Sequence, residues 1–145
     1  MKSKKNIVLV GMMGSGKSSI GKLLAKKKKC DFIDIDNIIE EYENMSVKEI
    51  FETKGEKYFR NLEEKFSINY LKLSNQVISL GGGGYININI RKSCKLNSLT
   101  FWLNWKTQTL INRLKISKKR PLVLNLNRIE IKKIISNRSK IYSGV

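Results

Sequence analysis

The first patterned stretch is an unbroken apolar run, Ile7-Val8-Leu9-Val10, closed by Gly11. Such a run predicts a strand buried on both faces, as in a parallel sheet. Beyond it Ile20, Leu23 and Leu24 fall at helical spacing and predict a helix reaching Lys26. Asp31-Phe32-Ile33-Asp34-Ile35-Asp36 then reads as a second short strand ending in acids, with a helix over 37–44. Ser46 with Glu49 forms a capping box, and the helix it opens ends near Gly55. Phe59, Leu62, Phe66 and Tyr70 place the apolar face of a longer helix from Glu56 to near Leu73. Gln76-Val77-Ile78-Ser79-Leu80 is a third strand running into four glycines, 81–84. A helix over 87–96, a strand over 99–104, and helices over 107–115 and 128–142 complete the pattern. Between the last two, Ser117-Lys118-Lys119-Arg120-Pro121 breaks the periodicity and reads as a mobile loop. Strands alternating with helices predict parallel βαβ units in a layered α/β fold. No repeat or linker divides the 145 residues, which read as one domain, 1–145.

Composition narrows the chemistry. No apolar run approaches the roughly 18 residues of a membrane span. The basic start Met1-Lys2-Ser3-Lys4-Lys5 precedes only four apolar residues, which make a first strand and not a signal peptide. The expectation is a cytoplasmic protein with no membrane partner. Cys30 and Cys94 lie far apart with no metal spacing and read as reduced thiols. There is no histidine. Ser-His-Asp hydrolysis and His-ligated zinc are thereby excluded, and any proton acceptor is a carboxylate or water. Lys and Arg number 29 against 12 Asp and Glu, a net charge of +17. One reading is nucleic-acid binding. The other is a compositional bias, since Lys, Ile and Asn are abundant and proline occurs once. The five Phe, five Tyr and two Trp are scattered and form no ladder for stacking bases, which favours the bias and argues against a nucleic-acid partner.

The segment after the first strand, Gly11-Met12-Met13-Gly14-Ser15-Gly16-Lys17-Ser18, fills the pattern G-x-x-x-x-G-K-[ST] between a strand and a helix. Glycines let successive N–H groups face one concavity, and the helix N-terminus adds positive potential there. Lys17 supplies a mobile charge for the outer phosphates of a nucleotide, and Ser18 a hydroxyl for Mg²⁺. Asp34 and Asp36 follow the second strand. In extended geometry residues two apart share a face, whereas at a strand end they separate into different roles. One carboxylate would hold the water shell of a cation and the other would accept a proton. Either acid also reads as a solvated group or a cap, Asp36 in particular, directly before a helix. Gly81-Gly82-Gly83-Gly84 stands where α/β sheets bind ligands, at a strand's C-terminal end. Arg60, Arg113, Arg120 and Arg138 stand out in a chain whose positive charge is mostly lysine, and a planar guanidinium suits an anionic acceptor.

Taken together these elements resemble the shikimate kinase family, from Asn6 to Tyr142. Its phosphate loop reads as 11–18 with Gly21 after it, and its D-x-D as Asp34-Ile35-Asp36. Its G-E-x-x-F-R element is Gly55 to Arg60 with Glu63, and its glycine triplet is 81–83. Its R-P-L is Arg120-Pro121-Leu122, and its R-x-x-x-Y is Arg138 to Tyr142. The resemblance implies a three-layer P-loop kinase fold with parallel strands in the order 2-3-1-4-5. The implied reaction is phosphorylation of the 3-hydroxyl of shikimate by ATP with Mg²⁺, carried out by a monomer.

The same resemblance implies roles. Lys17 and Arg120 contact the transferring phosphate, and Asp36 binds and activates the acceptor hydroxyl. Gly14, Ser15, Gly16, Lys17, Ser18, Ser19 and Arg113 hold the nucleotide. Ser18 and Asp34 serve the cation. Arg60 and Arg138 clamp the carboxylate, Gly82 and Gly83 contact the ring substituents, and Phe51 and Phe59 wall the pocket. Glu63 orients the arginines. The acceptor region spans about 34–63 and a lid loop about 117–125. Gly84 extends the usual triplet. Family members continue into a fifth strand beside the adenine pocket, which Ser143-Gly144-Val145 does not supply, so four strands with an exposed edge are expected. The rival readings are a gluconate or nucleoside-monophosphate kinase, and a basic nucleic-acid-binding protein.

Overall fold

The computed structural model describes residues 5–116 and 125–145. Among these, four parallel strands form one sheet: β1 (Asn6–Val10), β2 (Asp31–Asp34), β3 (Gln76–Ser79) and β4 (Ser98–Trp102), in the order β2-β3-β1-β4. This is the implied order without a fifth strand, and β4 is an edge of the described sheet. The helices are α1 (Lys17–Lys28), α2 (Ile35–Glu43), α3 (Val47–Lys54), α4 (Glu56–Leu71), α5 (Ile88–Asn97), α6 (Thr107–Ile116) and α7 (Arg128–Tyr142). None of the described helices is long and apolar enough to cross a membrane. Both cysteines are free thiols.

The two faces of the sheet are covered unequally. On one, Val8, Val10, Ile78 and Leu80 pack with Ile35, Ile50, Leu62, Ile90, Ile111 and Ile135 of α2 to α7 into the main core. On the other, Leu9 and Val77 meet Ala25 of α1. Ile7 and Leu9 pair with Leu99 and Phe101 of β4, which stay 54% and 50% exposed beyond the cover of α1. Buried Asn6 pins the N-terminal edge. Its amide donates to the carbonyls of Leu71 and Leu73 at 3.2 and 2.7 Å and its oxygen accepts from the Gln76 N–H at 3.0 Å.

Local differences from the sequence expectation have identifiable causes. The D-x-D segment is not strand throughout: β2 stops at Asp34, whose carboxylate accepts the Asp36 N–H at 3.1 Å and caps α2. Asp36 is therefore not the cap but the second residue of the helix, and the two acids do not share a strand face. The fourth strand runs 98–102 and not 99–104, because pairing with β1 ends at Val10 and Trp102. After β3 the glycines turn into a 3₁₀ turn, Gly84–Ile86, where the Gly84 N–H donates to Gly81 at 2.9 Å. The predicted capping box of α3 forms at Ser46 and Glu49, and a second caps α7 at Asn127 and Glu130. Lys26 to Lys29 are solvent-exposed at the end of α1, where positive charge suits the helix dipole.

Candidate active site

All four strands are parallel, so their C-terminal ends open onto one edge, the place where such sheets bind ligands. The phosphate loop leaves β1 there, Asp34 and Asp36 leave β2, the glycine run leaves β3, and Trp105 follows β4. Gly14 and Gly16 hold φ of 77° and 89°, left-handed values that a side chain strains. Lys17 is buried, its Nζ donating to the carbonyls of Gly11 and Met12 at 2.8 and 3.1 Å. The Ser18 hydroxyl donates to Asp34 at 2.5 Å. One cleft joins Gly14, Gly16, Lys17, Ser18 and Ser19 to Asp34, Asp36 and Gly82. The phosphate side and the carboxylate side thus share one space. Ser15 is buried, and its carbonyl accepts the Trp105 indole N–H at 2.8 Å. Arg113 donates to the Gly14 carbonyl at 3.0 Å.

The glycine run admits charged groups against its backbone. A methyl at Gly81 would stand 2.6 Å from the Asp36 carboxylate and 2.7 Å from that of Glu63. At Gly82 it would meet Met13 at 2.9 Å and the Arg138 guanidinium at 3.3 Å, and at Gly83 the Arg60 guanidinium at 2.6 Å. Arg60 of α4 and Arg138 of α7, distant in sequence, line a second cleft with Glu56, Gly83 and Asn137. Arg60 donates to Glu63 at 2.6 Å and to Glu56 at 3.3 Å, and lies 5.4 Å over the Phe59 ring. Burial alone would lower the Arg60 pKa, but Glu63 and Glu56 more than offset it and hold it above its usual value. Burial pushes the Glu63 carboxyl up against the pull of Arg60, and the neighbouring Asp36 charge adds to the rise.

Arg138 is lowered by burial against the pull of Tyr142, with the positive charge of Arg60 adding to the fall, and its buried Nη1 has no hydrogen-bond partner among the described residues. Two guanidinium groups near enough to repel, one with an orphan donor, form a site that an anion relieves. Tyr142 closes the arrangement by donating its hydroxyl to the Gly82 carbonyl. Its own pKa is pushed up to about 12 by burial.

Sequence comparison and structural comparison lead to the same family. The family model for shikimate kinase matches residues 13–145. The chain belongs to the shikimate kinase family. The shikimate kinase of Persephonella marina is 47% identical over 96% of this chain and 84% of its own length. The Acinetobacter baumannii shikimate kinase solved in complex with shikimate superposes with a TM-score of 0.91 at 28% identity, over 97% of this chain and 79% of that one. The Aquifex aeolicus enzyme superposes with a TM-score of 0.86 at 38% identity, covering 97% and 83%.

Within this shikimate kinase fold the motif residues come together in two groups. Gly14, Gly16 to Ser19, Asp34 and Asp36 line the first cleft, whereas Ser15 is buried and does not; Arg60, Gly83 and Arg138 line the second, with Gly82 between. Phe59 is a core residue, 3% exposed, packed at 5.0 Å between ring centroids on half-buried Phe51 beneath Arg60. Arg120 and the lid loop up to residue 124 lie outside the described residues. Gly81 and Trp105 were given no individual role by the sequence reading. Gly81 was legible only as one of four glycines, and the single hint of Trp105 was an isolated tryptophan after a strand end.

Proposed function

We propose that this shikimate kinase-family chain transfers the γ-phosphoryl group of ATP to the 3-hydroxyl of shikimate. The observation that carries the reading is the convergence of Arg60 and Arg138 on Gly82 and Gly83, beside the cleft that holds the phosphate loop and Asp36. One guanidinium is fixed by Glu63 and Glu56, and the other keeps an unsatisfied donor for the acid. A carboxylated polyol held there has a hydroxyl to present toward Asp36. In the transfer, the bond from the γ-phosphorus to the bridging oxygen of ADP breaks and a bond to the 3-hydroxyl oxygen forms. The hydroxyl proton passes to the Asp36 carboxylate. Lys17 exchanges the carbonyls of Gly11 and Met12 for phosphate oxygens, so its charge is desolvated before the nucleotide arrives. Catalysis on this reading is positioning and charge stabilisation.

The hydroxyl of Ser18 and the carboxylate of Asp34, already in contact, are hard oxygen donors that fit Mg²⁺. Among the described residues no group of three or more acidic, His or Cys side chains offers a cage. That suits an ion completed by phosphates and water. When bound, Mg²⁺ neutralises charge on the transferring phosphate. A coupled ADP-release assay with shikimate, quinate, gluconate and nucleoside monophosphates as acceptors tests the reading. Turnover is expected with shikimate and is abolished by EDTA. Equal turnover with gluconate or a nucleoside monophosphate would contradict it.

Gly83→Ala provides a geometric test of the clamp. The added methyl displaces the far end of the flexible Arg60 side chain, not backbone. The shikimate KM is expected to rise roughly tenfold, the worth of a weakened charge-assisted contact, with a smaller fall in melting temperature than Arg60→Ala, because the displaced guanidinium is also the partner of Glu63. An unaltered KM would separate Arg60 from substrate binding.

A further inference from the structure

The rim of the phosphate loop is held from outside by a stacked pair. The Trp105 indole Nε1–H donates to the Ser15 carbonyl at 2.8 Å across 90 residues. Arg113 of α6 donates to the neighbouring Gly14 carbonyl at 3.0 Å and lies 4.4 Å over the Trp105 ring. A planar trans peptide points its C=O and N–H in opposite directions, and the described chain has no cis bond. With the Ser15 carbonyl turned outward to the indole, the Gly16 N–H is turned inward, to the side where Gly16 lines the phosphate cleft. The glycines on either side of Ser15 leave this peptide otherwise easy to rotate.

We propose that Trp105 is a positioning residue for the nucleotide: its indole N–H fixes the Ser15–Gly16 peptide with the amide facing the phosphates, and its ring seats Arg113 on the loop's rim. The proposal rests on the reading of residues 11–18 as the nucleotide site. Trp105 remains 42% exposed, so its replacement does not open the core.

Trp105→Phe removes the N–H and keeps a ring under Arg113, whereas Trp105→Ala removes both. The ATP KM and the ADP Kd are expected to rise about threefold in Trp105→Phe and about tenfold in Trp105→Ala, the range of one hydrogen bond and one partly exposed cation–π contact. The shikimate KM, kcat and melting temperature stay at wild-type values. Arg113→Ala adds less on top of Trp105→Ala than it costs alone, because the two share one stack. The Trp105 indole ¹⁵N–¹H resonance, identified by its loss in Trp105→Phe, shifts on titration with ADP and not with shikimate. Unchanged ADP affinity in both variants, while the wild type binds ADP, would overturn the role of Trp105 alone. So would a parallel loss of shikimate affinity and melting temperature. A wild-type chain that binds no ADP would overturn the nucleotide-site reading along with it.

Discussion

Asp36→Asn is expected to lower kcat for shikimate phosphorylation by about 10²-fold, the low end of what a positioned acid–base group contributes. The low end follows from the reaction. A loose phosphoryl-transfer transition state draws little on proton removal, so the base acts late. A loss nearer 10⁴-fold would mean that Asp36 mainly positions the acceptor hydroxyl. Asp36 stands beside the Glu63 carboxylate across Gly81, and its charge adds to the raised Glu63 pKa. Steady-state turnover read beside calorimetric melting and ADP titration separates these effects. Full turnover in a folded Asp36→Asn protein removes this residue from the mechanism.

Arg138→Ala should raise the shikimate KM by about 10- to 100-fold, the value of a charge-assisted contact of roughly 1.5–3 kcal/mol. The ATP KM should stay unchanged. Less stability is at stake than with Arg60, because burial and Arg60 disfavour the charge on Arg138 and the pull of Tyr142 and Glu63 only partly offsets them. Arg60→Ala differs. It strips Glu63, which is 1% exposed, of its 2.6 Å partner, and breaking a buried pair from one side costs about 3–5 kcal/mol. The two arginines are therefore expected to share a phenotype in shikimate affinity and part company in melting temperature. Equal melting losses in both variants, or an unshifted shikimate KM in Arg138→Ala, would refute the clamp.

What the sequence made legible was local. The phosphate loop declares itself because glycines, lysine and serine stand at fixed intervals between an apolar run and a helical face. Ser46 and Glu49 announced α3 because a capping box is closed within four residues. The boundary at Asp34 and Asp36 was misplaced because both acids suit a cap, and only the fold decides which carboxylate reaches the Asp36 N–H. The glycine run has no periodicity, so its 3₁₀ turn left no trace in the pattern. The contacts that shape the site join distant parts of the chain: Trp105 to Ser15, Arg113 to Gly14, Tyr142 to Gly82. Resemblance to a family supplied the pairing of Arg60 with Arg138. Nothing in the neighbourhood of either arginine would have done so.

The Tyr142–Gly82 bond carries a consequence for biosynthesis. A ribosome that has released the chain as far as Arg113 has delivered the described ATP-side groups, yet only one arm of the grip on the organic acid. The second arm and the tyrosine that locks the glycine floor come with α7. Acceptor recognition is thus assembled only after synthesis has run past Tyr142, well behind the described groups that face the nucleotide.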